Sequence, residues 1–189
     1  MSVTEATRIN RPSDVLNEAA LSAANRELRP LPAAATSSSV DTGGVAVSSN
    51  SREAIIRSER REISILVARD EITITQARYA AGDQVTGPHV HDEHTDAFYV
   101  LEGELTFEIG REAETVAVGA GGFVAVPPGV AHSFGTSGDH PACWLTIHAP
   151  DGGFAEFMRG VRDGVSVEWD ISSVPTDGGL PASQAIVSV

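Results

Sequence analysis

The sequence predicts an all-β protein, an antiparallel sandwich or barrel. Three observations point there. From about Glu62 the chain breaks into short apolar runs of period two. Those runs are rich in β-branched and aromatic residues, and Gly, Pro or Asp breaks separate them. One good helical window follows, too little for a helical or α/β architecture.

The expected strands are EISILVA (62–68), EITITQARY (71–79), AFYVL (97–101), ELTFEIG (104–110), ETVAV (114–118), GFVAVP (122–127) and CWLTIHA (143–149). Arg69-Asp70 and Glu102-Gly103 are the expected hairpin turns, with Gly103 free to take a positive φ. So many short strands at regular spacing suit a sandwich or barrel. The helical window is GFAEFMRGVRDG (153–164). Phe154, Phe157, Met158 and Val161 recur at helical spacing, and Gly164 can stop the helix. It is expected to cover one end or face of the barrel. The last residues, ISSVPTDGGLPASQAIVSV, read as an extended tail with turns.

Residues 1–53 differ in composition. The stretch PLPAAATSSSVDTGGVAVSSNS offers little bulky apolar surface, so a flexible arm is expected, with a short helix over Ser13–Arg29 capped by Ser13 or Asp14. Six acids and five arginines lie within residues 1–53; the remaining twenty acids and eight arginines lie in residues 54–189, the expected folded domain.

Charge and composition exclude several functions. The net charge of -13 argues against nucleic acid and against an anionic membrane surface. Every basic residue is Arg, so Schiff-base chemistry and a lysine-dependent phosphate loop are excluded. Cys143 is the single cysteine and cannot form an internal disulfide. The first residues lack a signal-peptide core, no run reaches the ~18 apolar residues of a membrane span, and a cytoplasmic protein is expected.

The chemistry concentrates in GPHVHDEHTD (87–96), which holds three of the six histidines and three carboxylates. His89 and His91 are two apart. On an extended strand such residues share a face with Cβ atoms roughly 6.5–7 Å apart, so both imidazoles can reach one metal ion. Asp92, Glu93 and Asp96 are all close enough to add a carboxylate. Glu93 and His94 are expected in a solvated loop. A second segment, GGFVAVPPGVAHSF (121–134), carries a strand, a rigid Pro127-Pro128-Gly129 corner, and then His132.

Together these segments resemble the two motifs of the cupin family. In the first, His89-Val90-His91 is the His-x-His pair, Asp96 stands at the Glu position, and Gly103 closes the motif; the leading glycine is Gly82, one place from its usual position. In the second, Gly121, Pro127, Gly129 and His132 match, and Thr136 stands where Asn is usual. AFYVLEGEL between them is also typical. The resemblance covers about residues 54–150 and is nearest to quercetinase-like single-domain cupins. It implies a jelly-roll barrel holding one divalent transition metal through His89, His91, Asp96 and His132. Histidines with one carboxylate suit Fe, Ni, Mn or Zn. Asp is one methylene shorter than Glu, which changes its reach and bears on any role of Asp96 as a catalytic base.

Phe98 and Val100 share strand parity with Asp96, and Phe134 shares it with His132, so these three are the candidate walls of a substrate pocket. His148 is expected at the rim, His140 in an exposed loop, and Cys143 as a small buried hydrophobe. The expected function is a metal-dependent dioxygenase acting on a small flavonol- or enediol-like molecule, with Asp96 as ligand or base. A non-catalytic binding or sensing cupin and a metal-assisted sugar isomerase are the alternatives. A homodimer is expected.

Overall fold

The computed structural model describes residues 51–137 and 139–189. The helix expected over Ser13–Arg29, and the arm up to residue 50, lie outside them.

Among the described residues, eleven strands form two antiparallel sheets. They are β1 (Glu53–Arg57), β2 (Arg61–Arg69), β3 (Ile72–Tyr79), β4 (Gln84–His89), β5 (Thr95–Glu102), β6 (Glu104–Ile109), β7 (Glu114–Gly119), β8 (Phe123–Val126), β9 (His132–Thr136), β10 (Ala142–Ala149) and β11 (Ile186–Ser188). One sheet runs β1-β2-β3-β10-β5-β8-β11 and the other β4-β9-β6-β7. This non-sequential order fits the jelly-roll double sheet. All seven expected strands form.

Three strands have no alternating signature. β4 reads QVTGPH, with Gly87 and Pro88 inside it and register shifts at Gln84/Thr86 and Thr86/His89. It is an edge strand, where a missing N–H costs no ladder bond. β1 and β11 are short and lie at the two edges of the larger sheet. The first hairpin turns at Asp70-Glu71, one residue later than expected. Gly103 does turn the next, at φ 73°; a Cβ there would collide with Pro141 O and lie 2.9 Å from Ala142 Cα.

The core fills the space between the sheets with inward side chains of both. Phe98 on β5 meets Phe134 on β9 at 4.7 Å and Phe107 on β6 at 5.1 Å between ring centroids. Leu105, Val118, Val124 and Val126 are fully buried around them.

Helix α1 (Phe154–Asp163) follows β10. Asp151 starts it, accepting from the N–H groups of Gly153 and Ala155 at 3.0 Å each, and Gly164 ends it at φ 71°. Its apolar face, Phe154, Phe157, Met158 and Val161, packs on the core as the spacing predicts. Arg159 and Arg162 on its outer side both bind the Glu53 carboxylate at 2.8 Å, tying α1 to β1. The chain beyond α1 then returns over the barrel. Val90 and Ser172 exchange backbone hydrogen bonds of 2.9 and 3.0 Å, which brings Trp169 and Asp170 over residues 89–96. No helix of the described residues is long and apolar enough to cross a membrane.

Candidate metal centre

His89 ends β4 and pairs in register with His132, which begins β9. His91 lies just beyond β4, and Asp96 projects inward from β5. All four residues are buried, at most 3% exposed. One donor atom from each of His89, His91, Asp96 and His132 can be chosen so that all lie within 4.8 Å of one another. Asp96 reaches the imidazoles despite its short side chain: Oδ2 is 3.4 Å from His132 Nε2 and 3.7 Å from His91 Nε2.

Protons are organised for a cation. Nδ1 of His89 lies 2.8 Å from Gly87 O, that of His91 2.6 Å from Asp170 O, and that of His132 3.3 Å from Val130 O. A carbonyl only accepts, so each Nδ1 carries the proton and donates it. In a neutral ring, each Nε2 then keeps its lone pair, the orientation metal-binding histidines have. His91 Nε2 and Asp96 Oδ1 have no hydrogen-bond partner among the described residues. Burial, then His132 and His91, hold His89 well below the ordinary imidazole range. Burial pushes the Asp96 carboxyl up, but His148, His132 and His91 outweigh it and hold Asp96 well below the ordinary carboxylate range. Three imidazole nitrogens and one carboxylate oxygen, buried and turned toward one another, fit a divalent transition metal.

Two histidines depart from expectation. His94 does not face solvent. It is fully buried, and its Nδ1 donates to Asp170 Oδ2 at 2.7 Å. Asp170 also accepts from the N–H groups of Asp92, Glu93 and His94, so one carboxylate gathers the whole turn. His148 is not at the rim. It lies opposite Asp96 in the β5–β10 ladder, buried and stacked on Phe154 at 3.7 Å. Burial lowers its pKa to about 3, against the pull of Asp96. The alternation Trp144, Thr146, His148 carried the signal for His148, because all three face inward from a strand paired on both sides. Asp170 had no local signal. Glu93 and His140 are exposed and Cys143 is buried, as expected.

A cavity opens beside His89, Asp96 and His148. Phe134, Trp144, Phe154, Phe157, Met158 and Trp169 make much of its wall, and Thr75, Thr146 and Arg61 add polar groups. Of the three candidate pocket residues, Phe134 lines this cavity. Phe98 and Val100 face inward but are fully enclosed in the core, and Phe107 and Phe134 fill the space before Phe98.

Residues 76–148 match the family Cupin_2, the Cupin domain. No curated protein matches the chain. Among solved structures the chain is similar to KdgF from Halomonas sp., at 16% identity and a TM-score of 0.50, over 57% of this chain and 94% of that one. It is similar also to FeII HppE, at 17% identity and a TM-score of 0.50, over 58% and 62%. The matched segment runs from β3 to β10 and holds all four donor residues, and the similar structures share the double-sheet fold.

Proposed function

We propose that the chain is a metal-dependent dioxygenase acting on a small, largely apolar organic molecule that carries flavonol- or enediol-like oxygens. One observation carries this reading. The donor set of His89, His91, Asp96 and His132 stands beside a cavity walled by aromatic side chains. A bound Fe, Ni, Mn or Zn ion would supply Lewis-acid polarisation of a substrate oxygen, and a redox-active one would also supply chemistry with O₂. His89, His91 and His132 would hold that ion through Nε2, since each Nδ1 donates to a carbonyl. Asp96, held ionised by its neighbours, adds negative charge and serves as ligand rather than base. Phe134, Phe154 and Trp169 exclude water and offer flat faces to a planar ring. Such walls count against a sugar isomerase, since buried sugar hydroxyls need hydrogen-bond partners.

A binding or sensing role is the second reading. With His91, the buried His94 and His148 form a second donor group beside the first, which suits holding a metal rather than turnover. The test is metal analysis of the purified protein, followed by oxygen uptake with flavonols and enediols in the Fe, Ni and Mn forms. Uptake that Asp96→Asn reduces supports the oxygenase. Stoichiometric metal with no uptake across the panel favours the binding role, and absence of bound metal sinks both.

A further inference from the structure

Three buried nitrogens around the centre lack partners among the described residues: His91 Nε2, His94 Nε2 and His148 Nδ1. A buried lone pair or N–H left unpaired is costly, so each needs a partner. The Asp170 carboxylate accepts the His94 Nδ1 proton, which leaves Nε2 as a bare lone pair. Asp170 O fixes His91 in the same sense. One residue of the returning segment thus orients two imidazoles, the arrangement that a ligand's supporting partner provides. Gly152 makes room for it: a Cβ there would lie 2.7 Å from His94 Nδ1. The rings stand close, His91 to His94 at 3.9 Å and His94 to His148 at 5.0 Å. One nitrogen from each of the three can be chosen so that all lie within 4.8 Å of one another.

We propose that the centre has a second, overlapping metal position, formed by His91, His94 and His148. His91 donates through a single nitrogen, Nε2, because its Nδ1 is committed to Asp170 O. The two positions therefore share that ligand, and one ion occupies one or the other. Asp96 borders residues of both, with Oδ2 3.7 Å from His91 Nε2 and 3.4 Å from His132 Nε2, and Oδ1 3.5 Å from His148 Nε2. Three nitrogens make the second position softer than the first, so it favours Zn, Co and Ni over Mn. The inference builds on the metal-binding part of the reading above and not on oxygen chemistry.

Co(II) titration of the full chain tests it, read by visible absorption and by metal content after desalting. The wild type is expected to bind one equivalent with a spectrum of two components. His89→Ala/His132→Ala should still bind one equivalent, more weakly, with the second component alone. His94→Ala/His148→Ala should bind one equivalent with the first component alone, and His91→Ala should weaken both. If His89→Ala/His132→Ala binds no Co(II), or if His94→Ala/His148→Ala keeps the wild-type spectrum, the second position is overturned while the first stands. No binding by the wild type overturns both. If one double variant proves unfolded by far-UV circular dichroism, the spectrum of the other decides the matter.

Discussion

His148 Nε2 stands 3.5 Å from Asp96 Oδ1, directly across the ladder between β10 and β5. The pair joins a neutral imidazole to an ionised carboxylate inside the barrel. Neither group meets bulk water, so proton uptake there is coupled to folding.

That coupling has a sign. His148 has a folded pKa near 3 against an ordinary 6.5, and His89 and His94 are lowered too, by burial first in each case. The unfolded chain therefore binds more protons below the ordinary value. The stability held by these neutral rings is complete above about pH 6.5 and is lost as pH falls toward the folded values. His148 alone should cost the metal-free protein roughly 2 kcal/mol between pH 7 and pH 5. Urea melts at the two pH values measure this. His148→Gln should flatten the pH slope, and an unchanged slope would show that His148 does not titrate this way.

Asp96 is the carboxylate among the imidazoles, buried where it borders the cavity. Asp96→Asn keeps the shape and removes the charge, so Zn(II) affinity should fall at least about tenfold in competition titration. Asp96→Glu keeps the charge but adds a methylene at a buried position beside the cavity. It should keep the metal and lose about 1–3 kcal/mol of stability in the metal-free protein. A Glu variant as stable as wild type would mean that β5 has room to shift.

The strands legible in the sequence are those whose two faces differ, such as β6, where Leu105, Phe107 and Ile109 are buried between half-exposed or exposed neighbours. His89 and His91 stood out as a local His-x-His pair, whereas Asp96 and His132 were singled out only by the resemblance of the two spaced segments to cupin motifs. β4 was not, since Gly87 and Pro88 break the alternation that an edge strand does not require. His94 looked like a loop residue because what buries it, Asp170, lies 76 positions further along the chain. Closure of that kind depends on where the segment after α1 returns, which no local period records.

Glu53 offers a test far from the centre. Its hydrogen bond from Arg159 is the largest influence and, with Arg162 and despite partial burial, holds its carboxyl below the ordinary 4.5. A lowered carboxylate stabilises the fold above about pH 4.5 and loses that effect as pH falls through its folded value. Both arginines are partly solvated, so Glu53→Gln should cost about 0.5–1 kcal/mol at pH 7 and little at pH 3, with the pH 7 cost reduced by salt. An equal cost at both pH values would point to lost packing instead.

Gly152 has φ +59°, and its missing Cβ leaves room for the His94 ring and for Asp170, whose Cβ would be 3.1 Å away. Gly152→Ala would meet both the left-handed backbone and a ring pinned by Asp170. The expected cost is about 1–3 kcal/mol, with a changed ¹⁵N shift of His94 Nδ1 as the Asp170 hydrogen bond loosens. A stable variant with the wild-type His94 signal would show that the turn yields without disturbing the ring.

Phe98 and Phe134 meet at 4.7 Å between ring centroids yet stand in different surroundings. Phe98 touches protein on every side and is fully buried. Phe134 turns one side to the cavity. Truncating Phe98 leaves a void that enclosed neighbours cannot fill, so Phe98→Ala should cost about 3–5 kcal/mol in a denaturant melt. Phe134→Ala forfeits fewer contacts, because the cavity already borders it, and should cost distinctly less. It should also weaken binding of an apolar ligand, read from the fluorescence of Trp144 and Trp169, which line the same cavity. Equal stability losses for the two variants would mean that the cavity closes over Phe134 in solution, and the ligand would then have to enter by displacing that side chain.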